Sequence, residues 1–317
     1  MKNKIQIATI AAVFVAVQLL AIAFMFFTLN EEYQAFSDPG DPMIAVYYML
    51  MLLGFTLLFL ILVKFDLGKV MKGIFFVSIG FVVFFVVTAI AVILLPEPDM
   101  ANVVMIIGAV IAALSVLAIW RHPEWYVIDA VGLPMAVGII ALLGLSLGIV
   151  VTLILLILLA IYDFISVYKT KHMLTLAEGV SDMGVPLLIV VPKKLPYSYI
   201  GQKLKLKGDQ EEKKEREAFL VGLGDIIIPG ILASSAFWFI SASDAFAQNP
   251  VSLFGLPGYL IVVLGTIIGA VIGLVTLMSI VVKGNPQAGL PLLNGGAIGG
   301  FFISYLLVFG LNFSYFG

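Results

Sequence analysis

Apolar residues in this chain come in long blocks rather than in alternation. Nine blocks stand out, at 5–29, 43–63, 73–95, 101–119, 126–146, 148–168, 218–240, 258–282 and 289–311. A helix that crosses a bilayer needs about 20 consecutive apolar residues, so the pattern predicts nine transmembrane helices. The first block, 25 residues long, exceeds the apolar core of a cleaved signal peptide and lacks a small-residue cleavage site, so it is read as a helix. Blocks five and six form one run too long for a single crossing, and Gly144, Ser146 and Gly148 are expected to supply the turn. The ten-residue alternation of an outer-membrane barrel is missing. The expected fold class is an all-α membrane protein, without evident internal repeats.

Composition narrows the class further. Hydrophobic residues make up 62% of the chain and charged residues 11%, against roughly 25% charged in a soluble domain. A soluble globule has too little surface in its interior to hide so much apolar area. A soluble enzyme, a disordered chain and a nucleic-acid binder are therefore excluded, and most of the surface is expected to meet the lipid bilayer. Cysteine is absent and the two histidines, His122 and His172, lie far apart. No disulfide and no Cys- or His-based metal site is expected.

The charges are distributed unevenly. With the N-terminus in the cytoplasm, all 17 basic residues fall on the inner side. The outer loops carry Glu31, Glu32, Asp38, Asp41, Glu97, Asp99 and Asp244 instead. This asymmetry predicts a multi-pass protein of the cell membrane with its N-terminus cytoplasmic and its C-terminus outside. One membrane domain is expected, with helices 1–6 in residues 1–168, a cytoplasmic loop at 169–217 and helices 7–9 in 218–317. The charge-dense end of the loop reads as a solvated linker. Within it, Leu187, Leu188 and Ile189 open an apolar run to Val191 bounded by Pro186 and Pro192, which predicts a short strand at 187–191.

Only three ionisable residues fall inside the blocks: Asp129, Asp163 and Asp225. A carboxylate in hydrocarbon needs an explanation. Asp129 lies near the start of its block and is expected to reach headgroup water or to stabilise a helix N-terminus. Asp163 and Asp225 lie roughly 8 Å and roughly 10 Å from the cytoplasmic ends of blocks six and seven. Matched depth suggests a face-to-face pair, which cannot readily ionise twice. Such a pair can activate water and protonate a carbonyl, as in aspartic proteases. Spacing alone equally allows a structural pair or the proton relay of a transporter. Gly222-Leu223-Gly224 beside Asp225 permits close backbone approach. At the same level, Gly289-Leu290-Pro291-Leu292-Leu293 opens block nine, where proline leaves carbonyls unpaired.

Tyr162-Asp163 in block six, Gly222-x-Gly224-Asp225 in block seven and Pro291-Leu292-Leu293 in block nine together resemble the signature of presenilins and signal peptide peptidases. These are nine-helix intramembrane aspartyl proteases. The chain looks most like the archaeal presenilin homologues, as do its stretches 123–129, 170–173 and 284–291, and its orientation matches the presenilin branch. The resemblance implies that Asp163 and Asp225 are the catalytic pair, supported by Tyr162, Gly222, Leu223, Gly224, Pro291, Leu292 and Leu293. It implies hydrolysis, by activated water and without a cofactor, of peptide bonds in transmembrane segments of membrane proteins or in signal-peptide remnants, with no obligatory protein partner. Leu292 replaces the family alanine and is expected to narrow the substrate channel. The substrate helix must unwind, and it is expected to lie as a strand against Leu187, Leu188 and Ile189. Two other readings are a proton-coupled transporter or channel, and a prepilin-type aspartyl peptidase, which shares Gly-x-Gly-Asp without the other two motifs.

Overall fold

The computed structural model describes residues 4–170, 188–192, 198, 218–253, 255–281 and 287–316. Among them are nine helices long and apolar enough to cross a membrane. They are α1 (Lys4–Thr28), α2 (Met43–Lys64), α3 (Gly68–Leu94), α4 (Ala101–Arg121), α5 (Trp125–Ser146), α6 (Ile149–Ile165), α7 (Leu223–Ala242), α8 (Gly258–Val281) and α9 (Leu290–Phe309). A π-helical turn, Ser166–Thr170, continues α6.

Three boundaries differ from the sequence expectation for identifiable reasons. Helix α3 begins five residues early and takes in Lys69 and Lys72, because long basic side chains can lie along a helix end and reach outward. The ammonium of Lys72 sits over the Phe76 ring, 5.3 Å from its centre. The turn between α5 and α6 is Leu147-Gly148, with Gly148 as the N-cap of α6 and its N–H bonded to the Pro39 carbonyl at 2.9 Å. Gly144 and Ser146 are helical.

The third difference matters most. The expected seventh helix does not start at Ala218. Residues Ala218–Gly222 form a strand, β2, which pairs antiparallel with β1, Leu188–Pro192. Its four apolar residues and terminal glycine suit a strand as well as a helix, and the partner strand decides between them. The expected strand is therefore present one residue later than read, while Leu187 lies outside the described residues. Helix α7 then follows β2 without a linker.

The main core joins α1, α5, α7, α8 and α9, and β1 and β2 pack one face against it through Ile189 and Val221. The tightest packing is between α8 and α9. Gly265, Gly269 and Gly273 recur every four residues on α8, opposite Gly296, Gly300 and Ser304 on α9. A Cβ on Gly269 would collide with the Gly296 carbonyl oxygen, and one on Gly273 with the Leu292 carbonyl oxygen. Without side chains at these points the two backbones touch, which is how membrane helices gain dispersion energy where lipid offers no hydrophobic drive. Gly269→Val should lower the thermal unfolding midpoint of the purified protein, a destabilisation of about 1–3 kcal/mol from overpacking. Gly299→Ala, at a glycine with open space around it, should shift stability by no more than about 0.5 kcal/mol.

Candidate active site

Two carboxyls meet at the N-terminus of a third helix. Asp163 lies two residues before the end of α6, and Asp225 two residues after the start of α7. Their levels match, as expected, although each is closer to its helix end than the apolar blocks implied. The strand before α7 accounts for Asp225, and the π-helical turn after α6 for Asp163. Asp163 is buried, and its Oδ2 accepts the Leu290 N–H at 3.0 Å. Asp225 is half-buried and within electrostatic reach of Asp163.

The peptide Gly289-Leu290 lies between the two acids. Leu290 N–H holds Asp163, while Gly289 faces Asp225 so closely that a Cβ there would sit 3.2 Å from both carboxyl oxygens. Gly222, at the end of β2, approaches the same carboxyl, with 3.3 Å from an added Cβ to Oδ2. Asp225 lies in the first turn of α7, and Asp163 bonds the first residue of α9. Asp225 thus sits at the N-terminus of its own helix, and Asp163, at the C-terminal end of α6, reaches the N-terminus of α9, where free N–H groups favour an acceptor.

Other side chains hold this arrangement. The Ser166 hydroxyl donates to the Asp163 carbonyl at 3.0 Å, and the Ala288 N–H donates to the Tyr168 hydroxyl at 3.4 Å. Asn294, one turn along α9, donates its Nδ2 hydrogen to the Leu156 carbonyl of α6 at 2.9 Å. Pro229 in α7 has no N–H to offer the carbonyl of Asp225, four residues earlier. The helix is thus a hydrogen bond short at the residue that carries the acid.

Among the expected site residues, Asp163, Asp225, Gly222 and the turn before Pro291 come together. Leu293 is buried in the core, and Leu292 packs against it. Leu223 is buried, and Gly224 has open space around it. Tyr162 turns toward α2, where its hydroxyl is 3.0 Å from the Thr56 hydroxyl. Sequence reasoning placed Gly289-Leu290 at the level of the acids but missed β2, the bond from the Leu290 N–H to Asp163 and the bond from the Val190 N–H to Asp129.

Asp129, half-buried near the start of α5, has a backbone partner distant in sequence. Its Oδ1 accepts the Val190 N–H of β1 at 3.0 Å. That N–H therefore points away from β2, so the ladder runs through the Ile189–Val221 and Val191–Phe219 pairs. The outer edge of β1 then offers Leu188, Val190 and Pro192. Val190 is occupied by Asp129, and Pro192 has no donor. The outer edge of β2 offers Ala218, Leu220 and Gly222, and no described residue pairs with it.

A family model described as signal-peptide peptidase, presenilin aspartyl protease matches residues 11–310. The chain belongs to this family. Two solved structures, each of a presenilin family intramembrane aspartate protease, share its fold at 29% identity. One, in space group C222, has a TM-score of 0.65 and covers 95% of this chain and 99% of its own. The other, in space group P2, has a TM-score of 0.59 and covers 94% and 96%. Among curated proteins none matches. As a member of this family, the protein is a multi-pass intramembrane aspartyl protease, and the transporter and prepilin-peptidase readings are not favoured. Gly289→Val, whose side chain would crowd the Asp225 carboxyl, should lower turnover of a transmembrane peptide by about 10- to 100-fold, the order that a displacement of about 1 Å within a site costs. Assay of the purified variant beside a thermal midpoint separates this from unfolding.

Proposed function

We infer that Asp163 and Asp225 are the catalytic pair of this protease. The observation that carries the reading is their convergence on the Gly289-Leu290 peptide in a chain of this family. One carboxylate takes a proton from water as the water oxygen attacks the scissile carbonyl carbon. The other carboxyl gives its proton to the carbonyl oxygen; as the tetrahedral intermediate collapses, the first carboxyl passes the proton it took from water to the departing nitrogen and the second takes one back from a hydroxyl of the intermediate, releasing acid and amine. The Leu290 N–H orients Asp163 for this task, and Gly289 and Gly222 leave room for Asp225 and the water between them.

The substrates are transmembrane segments of membrane proteins or signal-peptide remnants, cleaved near the cytoplasmic face, with the enzyme's N-terminus in the cytoplasm. The basic asymmetry of the chain supports that orientation. A substrate helix covers its own carbonyls and must open before attack. Strand addition to the β1–β2 hairpin would hold it open. The edge geometry supports β2 as the docking strand and Leu188 and Ile189 as its backing, since the outer edge of β1 is already obstructed. Three residues on from Gly222 the chain reaches Asp225, so a strand paired there lies beside the acid. The chain is expected to act without an obligatory protein partner.

Purified protein in lipid should cleave a labelled single-span peptide, with product masses placing the cut near its cytoplasmic end. Asp163→Ala and Asp225→Ala should each remove that activity almost completely, a loss of at least about 10³-fold. Cleavage by either variant would refute the assignment. Leu220→Pro, which deletes one outward N–H of β2, should abolish cleavage while leaving the thermal midpoint nearly unchanged. Retained turnover in that variant would remove β2 as the docking edge.

A further inference from the structure

The hairpin needs a fixed register, and side-chain packing supplies only part of it. Val190 is buried against Ile128, Trp125 and Ala218, while Ile189 and Val221 face the main core. A slip of β1 by one residue would exchange these faces, but a slip by two would keep apolar side chains on both. A hydrogen bond from the edge of β1 discriminates against such a slip in one direction. Asp129 makes that bond to Val190. A slip that brought residue 192 opposite Asp129 would present Pro192, which has no donor. The same end of α5 grips the loop a second time, since Glu124 Oε1 accepts the Ser198 hydroxyl at 2.6 Å.

We propose that Asp129 is a positioning residue for cleavage, setting the register of β1 on α5 and thereby which backbone groups of β2 stand beside Asp225. The proposal rests on the protease reading above and adds to it a residue that touches neither substrate nor reacting atoms. A half-buried carboxylate gains from a backbone N–H only if that N–H stays where it is. The carboxyl and the strand therefore hold each other in place.

Full-length protein in lipid, prepared as wild type, Asp129→Leu and Asp129→Asn, tests this by amide hydrogen exchange and by cleavage of one labelled transmembrane peptide. In Asp129→Leu, exchange across residues 188–192 should quicken about tenfold or more, the loss expected for one hydrogen bond to a charged group. KM should rise by a similar factor, with kcat less affected, and product masses should spread to neighbouring bonds. Asp129→Asn keeps an oxygen in the same place and should recover most of the loss. If the leucine variant does not fold, Val190→Pro serves instead, because it deletes the donor without removing a ladder bond. Unchanged exchange at 188–192 would overturn the proposal. Faster exchange with unaltered KM and products would overturn it too, leaving Asp129 only a structural part. Cleavage by Asp225→Ala protein would instead sink the protease reading, so the two failures are distinct.

Discussion

In hydrocarbon a polar group has no water to turn to, and each one buried there must find its partner within the protein. The three intramembrane acids show what this demands. Asp163 takes the N–H of Leu290, Asp129 takes that of Val190, and Asp225 sits in the first turn of its own helix. Each bond joins an acid to backbone that would otherwise be an orphan itself. Helix ends and strand edges carry the spare donors, so the acids and the irregular backbone gather at one level. The site is thus where two kinds of unsatisfied group answer one another.

The glycine face of α8 makes this possible at a distance. Backbone contact along Gly265, Gly269 and Gly273 fixes α9 in height and rotation against α8. Asn294 ties the same helix to α6. With α9 held on both sides, its first N–H arrives at Asp163 and its preceding glycine at Asp225. A membrane helix set by side chains alone would have more freedom to slide. One set by backbone against backbone has little, since any translation drives a carbonyl oxygen into a facing Cα.

The blocks of apolar residues and the lone acids made much of this legible in the sequence. Long apolar runs admit one solution in lipid, so the nine helices could be counted, and the asymmetry of basic residues indicated an orientation for them. Asp163 and Asp225 were conspicuous because a carboxylate has no business in such a run unless it has a task. What remained hidden was anything decided by a partner distant in sequence. Ala218–Gly222 reads as the start of a helix until Leu188–Pro192 lies beside it. Asp129 reads as a helix-end acid until Val190 turns its N–H toward it. The Gly289-Leu290 peptide carries no side-chain signal at all, because its contribution is an N–H and the absence of a Cβ.

A hairpin with one side closed has a further consequence. Among the described residues, Pro192 and the occupied N–H of Val190 obstruct the outer edge of β1, and the outer edge of β2 is left unpaired. If a substrate strand adds to β2 as proposed, that edge admits one strand. An arriving chain and a departing fragment would then contend for the same few N–H and C=O groups of β2. Occupancy would be strictly one at a time, and a fragment that keeps its pairing would act as a competitive inhibitor of the next turnover.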